Sequence, residues 1–311
     1  MCAESDNMNS IEEKHDRVMR FTDNIRLYIF SVILFSYVWQ IIIYFNGGVD
    51  SSLVPLLMFI PGIIAWIFRR RTREGFRDLG WGLGNWVYLL VAIFVPLIST
   101  IGLTLLFQSL GWATITVFTM ENGLITSKVP MLLGNHPQSL LFFALNLAVS
   151  FAQISLIGSF FAFGEEFGWR GYLQNKMTQK YGVIKGLVLL GLLWGYWHLP
   201  LLLMGFTFPN MPILGGFVLY PISTVFMAVY HGWIYLRSRS IWAPVLSHGA
   251  FNIAGGIIFS GMELHRDLFI FQLIWIAMFG VLATPCYFSL KHNQVTPEEI
   301  VKPTAHASII A

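Results

Sequence analysis

Apolar residues gather along this chain into eight runs, over 25–44, 53–68, 86–106, 140–163, 186–204, 213–236, 241–260 and 268–290, separated by polar stretches. A helix rises about 1.5 Å per residue, so roughly 20 apolar residues cross the hydrocarbon core of a bilayer. The pattern therefore predicts an all-α, polytopic membrane protein of about eight transmembrane helices. The second run is short and contains Pro55 and Pro61, which makes it the weakest span. The segment 69–85 is basic, with Phe76, Leu79 and Trp81 scattered through it, and reads as a stretch lying along the inner membrane surface. The longest loop, 111–139, holds Glu121, Asn122, Gly123, Asn135, His136 and Pro137. A re-entrant segment or a lid would suit it equally, and its composition does not decide between them. One membrane-embedded domain is expected over 25–292, with its motifs in 140–260. A polar N-terminal segment (1–24) precedes it and a flexible tail (293–311) follows.

Composition agrees with this pattern. Residues are 56% hydrophobic and 11% charged, against about 25% charged in an average soluble domain. The net charge of +3 is small and unevenly placed. With the N-terminus inside, only Lys128 and Arg266 of the 19 basic residues fall outside, as the positive-inside rule requires of both termini in the cytoplasm. Nothing in this balance suggests nucleic acid as a partner. Cys2 and Cys286 are the only cysteines, which excludes a disulfide scaffold or a cysteine-built metal cluster. The N-terminus is polar and mixed in charge, without the apolar core and cleavage site of a signal peptide.

Against that apolar background, Gly164-Glu165-Glu166-Phe167-Gly168-Trp169-Arg170-Gly171-Tyr172 stands out. Charges at such a depth cost roughly 2.5–3.5 kcal/mol each. On a helix Glu166 and Arg170 form an i, i+4 pair that neutralises itself, and Glu165 points about 100° away as the carboxylate left over. Counting residues from the inner helix ends puts Glu165 at a depth of about 12 Å, His198 about 18 Å, His248 about 10 Å and Asn252 about 16 Å. Three helices thus offer polar groups at similar depth. Each also carries a small-residue face: Gly164, Gly168 and Gly171; Gly191, Gly195 and His198; Pro244, His248, Asn252 and Gly255. Such faces let membrane helices approach closely and would bring the groups to one water-accessible pocket on the cytoplasmic side. His231 has no polar partner at helical spacing and reads as interfacial. His136 and His265 fall outside, remote from the cluster.

Burial and a second carboxylate make a glutamate basic enough to deprotonate water near neutral pH. An imidazole can relay that proton, and imidazole and amide donors can hold the oxyanion of a tetrahedral intermediate. Glu165, His198, His248 and Asn252 fill these roles. The same Glu165, His198 and His248 would equally serve as a catalytic zinc set. The HExxH and GxGD signatures are absent, and no serine has a partnered histidine, which disfavours the other intramembrane protease classes.

Taken together, the residues resemble the three motifs of the CAAX prenyl endopeptidase and bacteriocin-processing (abortive-infection) family. Glu165, Glu166 and Arg170 match its first motif. Trp194 and His198 match the second, with Trp where Phe is commonest, and His248 and Asn252 match the third. The resemblance implies a glutamate-dependent intramembrane endopeptidase in which Glu165 and His198 activate water while His248 and Asn252 steady the oxyanion. Glu166, Arg170 and Trp194 would then be structural or substrate-orienting. Its substrate would be a membrane-associated protein or peptide, lipidated or not, met within the lipid bilayer, with no metal assigned and zinc the alternative. A competing expectation is a non-catalytic interaction, regulatory or immunity protein on the same fold. Inverted repeats, the mark of a proton-coupled transporter, are not found.

Overall fold

The computed structural model describes the backbone of residues 2–292 and the side chains of 24–256 and 261–292. The side chains of the polar N-terminal segment up to residue 23 lie outside the described residues, as does the tail expected over 293–311. Helices α1 (Cys2–Phe45), α2 (Phe59–Thr72) and α3 (Val87–Ser109) come first. Strands β1 (Ala113–Ile115), β2 (Phe118–Glu121) and β3 (Leu124–Ser127) follow. Next come α4 (Leu140–Gly168), a π-helical segment (Trp169–Gln174), α5 (Asn175–Tyr181), α6 (Val183–Trp197), α7 (Leu199–Leu203) and a single turn, α8 (Pro212–Leu214). The chain continues as α9 (Tyr220–Ser238), α10 (Trp242–Ser260), β4 (Met262–Leu264) and α11 (Leu268–His292). Every apolar run coincides with helix. Among the described residues, five stretches, Asn24–Phe45, Val87–Ser109, Leu140–Tyr181, Pro212–Ser238 and Leu268–His292, are long and apolar enough to cross a membrane.

The run 186–204 does not form one helix. Pro200 lacks an N–H, and its ring excludes the carbonyl four residues back, so α6 stops at Trp197 and α7 restarts at Leu199. The loop 111–139 is a β-structured cap. Asn122 and Gly123, at φ 50° and 76°, make the tight turn that suits a two-residue hairpin and joins the antiparallel β2 and β3. β1 pairs antiparallel with β4, Thr114 opposite Glu263. Asn146 at the start of α4 accepts from Leu133 N and donates to Gly134 O, at 2.9 and 2.8 Å, which ties the cap to the bundle. The basic segment 69–85 is anchored to the bundle. Arg69 is buried and makes a bidentate pair with Asp78 at 3.0 and 2.7 Å. It also donates to Gly171 O at 2.9 Å, and Leu79 is fully buried nearby.

Glycines set the helix spacings. A Cβ on Gly158 of α4 would stand 2.9 Å from Gly249 O of α10, and one on Gly164 would stand 2.6 Å from Met58 O, just before α2. Gly191 and Gly195 of α6 likewise meet Thr224 and Pro221 of α9. The glycine face expected on α4 exists, but Gly164 and Gly168 turn it toward α2 and Gly171 toward Leu79. The approach that brings α4 to α10 is made instead by Gly158 and Gly249.

Gly164→Val should therefore lower the thermal unfolding midpoint in detergent, at a cost of roughly 1–3 kcal/mol for overpacking. Gly102→Ala, whose Cβ would meet nothing within 4 Å, should leave the midpoint unchanged or slightly raised. Equal shifts for the two variants would contradict this packing.

Candidate active site

The end of α4 and the π segment place two neighbouring carboxylates in different surroundings. Glu166 is fully buried, and its Oε1 accepts from Arg170 Nη1 and His248 Nδ1, each at 2.8 Å. The expected i, i+4 pair is thus joined by a third member from α10. The Arg170 guanidinium also lies 4.6 Å from the Trp194 ring centroid, a cation–π geometry. Glu165, about 100° around the helix, instead accepts two neutral donors on Oε2: Trp169 Nε1 at 3.1 Å and Trp194 Nε1 at 2.6 Å. Among the described residues Oε1 of Glu165 has no hydrogen-bond partner, and Glu165 lines the main cavity. A phenylalanine at 194 could not make the shorter of these bonds, so the unusual tryptophan has a direct chemical consequence.

His198 stands at the break between α6 and α7. Its Nδ1 is 2.9 Å from Trp194 O. A carbonyl only accepts, so Nδ1 carries the proton in the neutral ring and Nε2 keeps its lone pair. The rings of Trp197 and Tyr220 flank it edge-on at 4.4 and 4.9 Å. Polar groups of α1 repair the backbone that Pro200 interrupts. Gln40 donates to Trp197 O and accepts from Leu201 N, both at 2.9 Å. Tyr37 donates to Tyr196 O at 2.8 Å, and Trp197 Nε1 donates to Ser36 Oγ at 2.5 Å. Ser36 and Gln40, buried polar residues in a helix that otherwise reads as a plain span, hold the His198 turn in place.

His248 of α10 is oriented by Glu166, and Asn252 follows one turn later. Glu165, Trp194, His198, Tyr220, His248 and Asn252 all line one cavity of about 640 Å³ whose remaining wall is largely aliphatic and aromatic. His248 and the Trp194 ring are 5.3 Å apart, centroid to centroid, so Trp194 touches both ends of the polar set. Zinc fits this donor set poorly. Among the described residues no three His, Cys, Asp or Glu side chains converge as metal ligands.

His231 corrects the expectation of an interfacial residue. It is fully buried, with Nδ1 3.0 Å from Met227 O. Its ring centroid lies 5.8 Å from that of His248 and 6.2 Å from that of Trp194. Nothing at helical spacing on α9 marks it, and only the approach of α9 to α6 and α10 brings it to the site. His136 and His265 are exposed and belong to the β-structured cap; His265 Nε2 pairs with Thr114 Oγ1 at 2.7 Å.

Because removing one partner of a buried ion pair strands the other, Arg170→Met should destabilise the fold by about 3–5 kcal/mol. Adding Glu166→Gln to Arg170→Met should recover much of that loss. Unfolding midpoints in detergent check this, and additive losses would mean that the two groups are not coupled.

Residues 146–254 match a protein-family model described as type II CAAX prenyl endopeptidase Rce1-like. The chain is also 24% identical over 249 residues to CAAX prenyl protease 2 of Methanococcus maripaludis, an alignment covering 74% of this chain and 83% of the relative. The matched segment contains every residue of the three motifs, from Glu165 to Asn252. Over that core, the chain is similar to the Rce1-like CAAX prenyl endopeptidases.

Proposed function

We propose that the protein is an intramembrane endopeptidase that hydrolyses a peptide bond near the C-terminus of a membrane-associated, prenylated protein. The observation that carries this reading is the unequal treatment of the two glutamates. Glu166 is taken up by Arg170 and His248, while Glu165 is held by two indole N–H groups and keeps one oxygen free on the cavity. The cavity's apolar wall suits a lipid chain or long apolar side chains. Its likeness to a CAAX prenyl protease supports that substrate class.

In the reaction, the free oxygen of Glu165 removes a proton from water as the water oxygen bonds to the scissile carbonyl carbon. His198 Nε2 accepts a hydrogen bond from the other O–H of the same water and aims it at the carbonyl. Asn252 Nδ2–H donates to the oxyanion, and His248 Nε2 donates when the ring carries its second proton, with Glu166 as counter-charge. The C–N bond then breaks as the proton held by Glu165 passes to the leaving nitrogen, giving a carboxylate and an amine. No step requires a metal. With both termini cytoplasmic, as the basic residues imply, the cavity of the 25–292 domain would receive substrate from the cytoplasmic side.

Purified protein in lipid vesicles, given a farnesylated peptide with a C-terminal CAAX sequence, should release the terminal tripeptide. Glu165→Ala and His198→Ala should abolish cleavage without loss of fold, and Asn252→Ala should reduce kcat about a hundredfold. Trp194→Phe, which keeps the ring but not the N–H, should lower kcat about tenfold. Equal cleavage by wild type, Glu165→Ala and His198→Ala would overturn the proposal.

A further inference from the structure

Glu166, Arg170 and Gln174 follow one another at four-residue intervals from the end of α4 through the π segment, and all three are fully buried. Across from them, α9 presents His231 and Gly232. Gln174 Nε2 reaches Gly232 O at 3.5 Å, and the Trp194 ring contacts both the Arg170 guanidinium at 4.6 Å and the His231 ring at 6.2 Å. Among the described residues, this strip contains polar atoms that no protein group satisfies: Glu166 Oε2, Arg170 Nε and Nη2, His231 Nε2 and Gln174 Oε1. The strip ends at Asn175, whose side chain meets the Tyr235 hydroxyl of α9, next to the Lys176–Glu74 ion pair at 2.7 Å, where the basic end of the bundle meets solvent. Buried polar atoms are nearly always paired, with protein or with ordered water.

Their chemistry identifies the missing partner. His231 Nδ1 faces a carbonyl and therefore carries the proton, so Nε2 of the neutral ring is an acceptor. Glu166 Oε2, His231 Nε2 and Gln174 Oε1 are thus three acceptors, which cannot satisfy one another. Among the unpartnered atoms of the strip only Arg170 Nε and Nη2 donate. A small molecule that both donates and accepts completes such a row, and water does so at little cost in immobilisation.

We propose that a file of internal water runs between the α4 end with its π segment and α9, from the Lys176–Glu74 rim to Glu166 and His248. It rests on the hydrolytic reading above in one respect: each bond cleaved consumes a water, and the main cavity, once filled by an apolar substrate, offers few polar groups along which to replace it. The π segment has a role here, because its wider turn sets Arg170 and Gln174 on the face toward α9. His231 is a positioning residue for this water.

Microsecond hydroxyl-radical footprinting of the full-length protein in nanodiscs tests the file directly, because radicals formed from bound water oxidise the side chains beside it. His231 should be oxidised well above Phe107 and Phe271, which are equally buried at 1% and 0% exposure but lie in an apolar cluster. Exposed His136 provides the upper reference. Gln174→Leu, similar in size, should bring His231 oxidation down to the level of Phe271. It should also lower kcat roughly tenfold with KM unchanged. His231 labelling no greater than that of Phe271 in folded wild-type protein would overturn the file, whatever the variants do. Were the wild-type protein to cleave no peptide at all, the labelling would still decide the file, so that its failure and that of the hydrolytic reading remain separable.

Discussion

One carboxylate, that of Glu166, receives both Arg170 and His248 in an interior with few other charges. In a medium of low dielectric such a group is tolerable only while its partners are in place, and those partners come from two separate parts of the chain. The bond to Arg170 fixes the rotation between α4 and the π segment. The bond to His248 fixes the register of α10 against α4. The close passage of Gly158 over Gly249 makes the second bond reachable, since a methyl group on either would push the helices apart. Electrostatics and small-residue packing therefore enforce the same arrangement.

Adjacent residues then acquire opposite characters. Glu166 Oε1 is held by the Arg170 cation and the His248 N–H, whereas Glu165 is held only by indole N–H groups from Trp169 and Trp194 and keeps an oxygen toward the cavity. A single residue step on a helix turns the side chain by about 100°, and that is enough to bury one carboxylate between helices and turn its neighbour onto the cavity. Trp194 joins the two environments, with its N–H on Glu165 and its ring face against the Arg170 guanidinium.

The imidazole of His198 is positioned by a different device. A proline stops α6 one residue before it, and the exposed backbone groups are taken up by Tyr37 and Gln40 from a helix about 160 residues earlier in the chain. α1 thereby supports the site without contributing a group that faces the cavity. A helix break satisfied by side chains of a neighbour is a usual solution for irregular backbone inside a membrane, where no solvent can complete the bonding.

The amino-acid sequence by itself determines the helical runs, the Glu166–Arg170 pair and the three motifs that bear Glu165, His198, His248 and Asn252. These follow from residue spacing within single helices, and local geometry is set locally. Only the tertiary structure decides that the Gly164 face meets α2, that Gln40 mends the break beside His198, that loop 111–139 pairs one of its strands with residues 262–264, and that His231 lies beside His248. Membrane helices are apolar nearly all round, so their pattern shows that they are buried in lipid or protein but not which neighbour each side will meet. That choice belongs to shape and to the few buried polar groups, whose partners are distant in the chain.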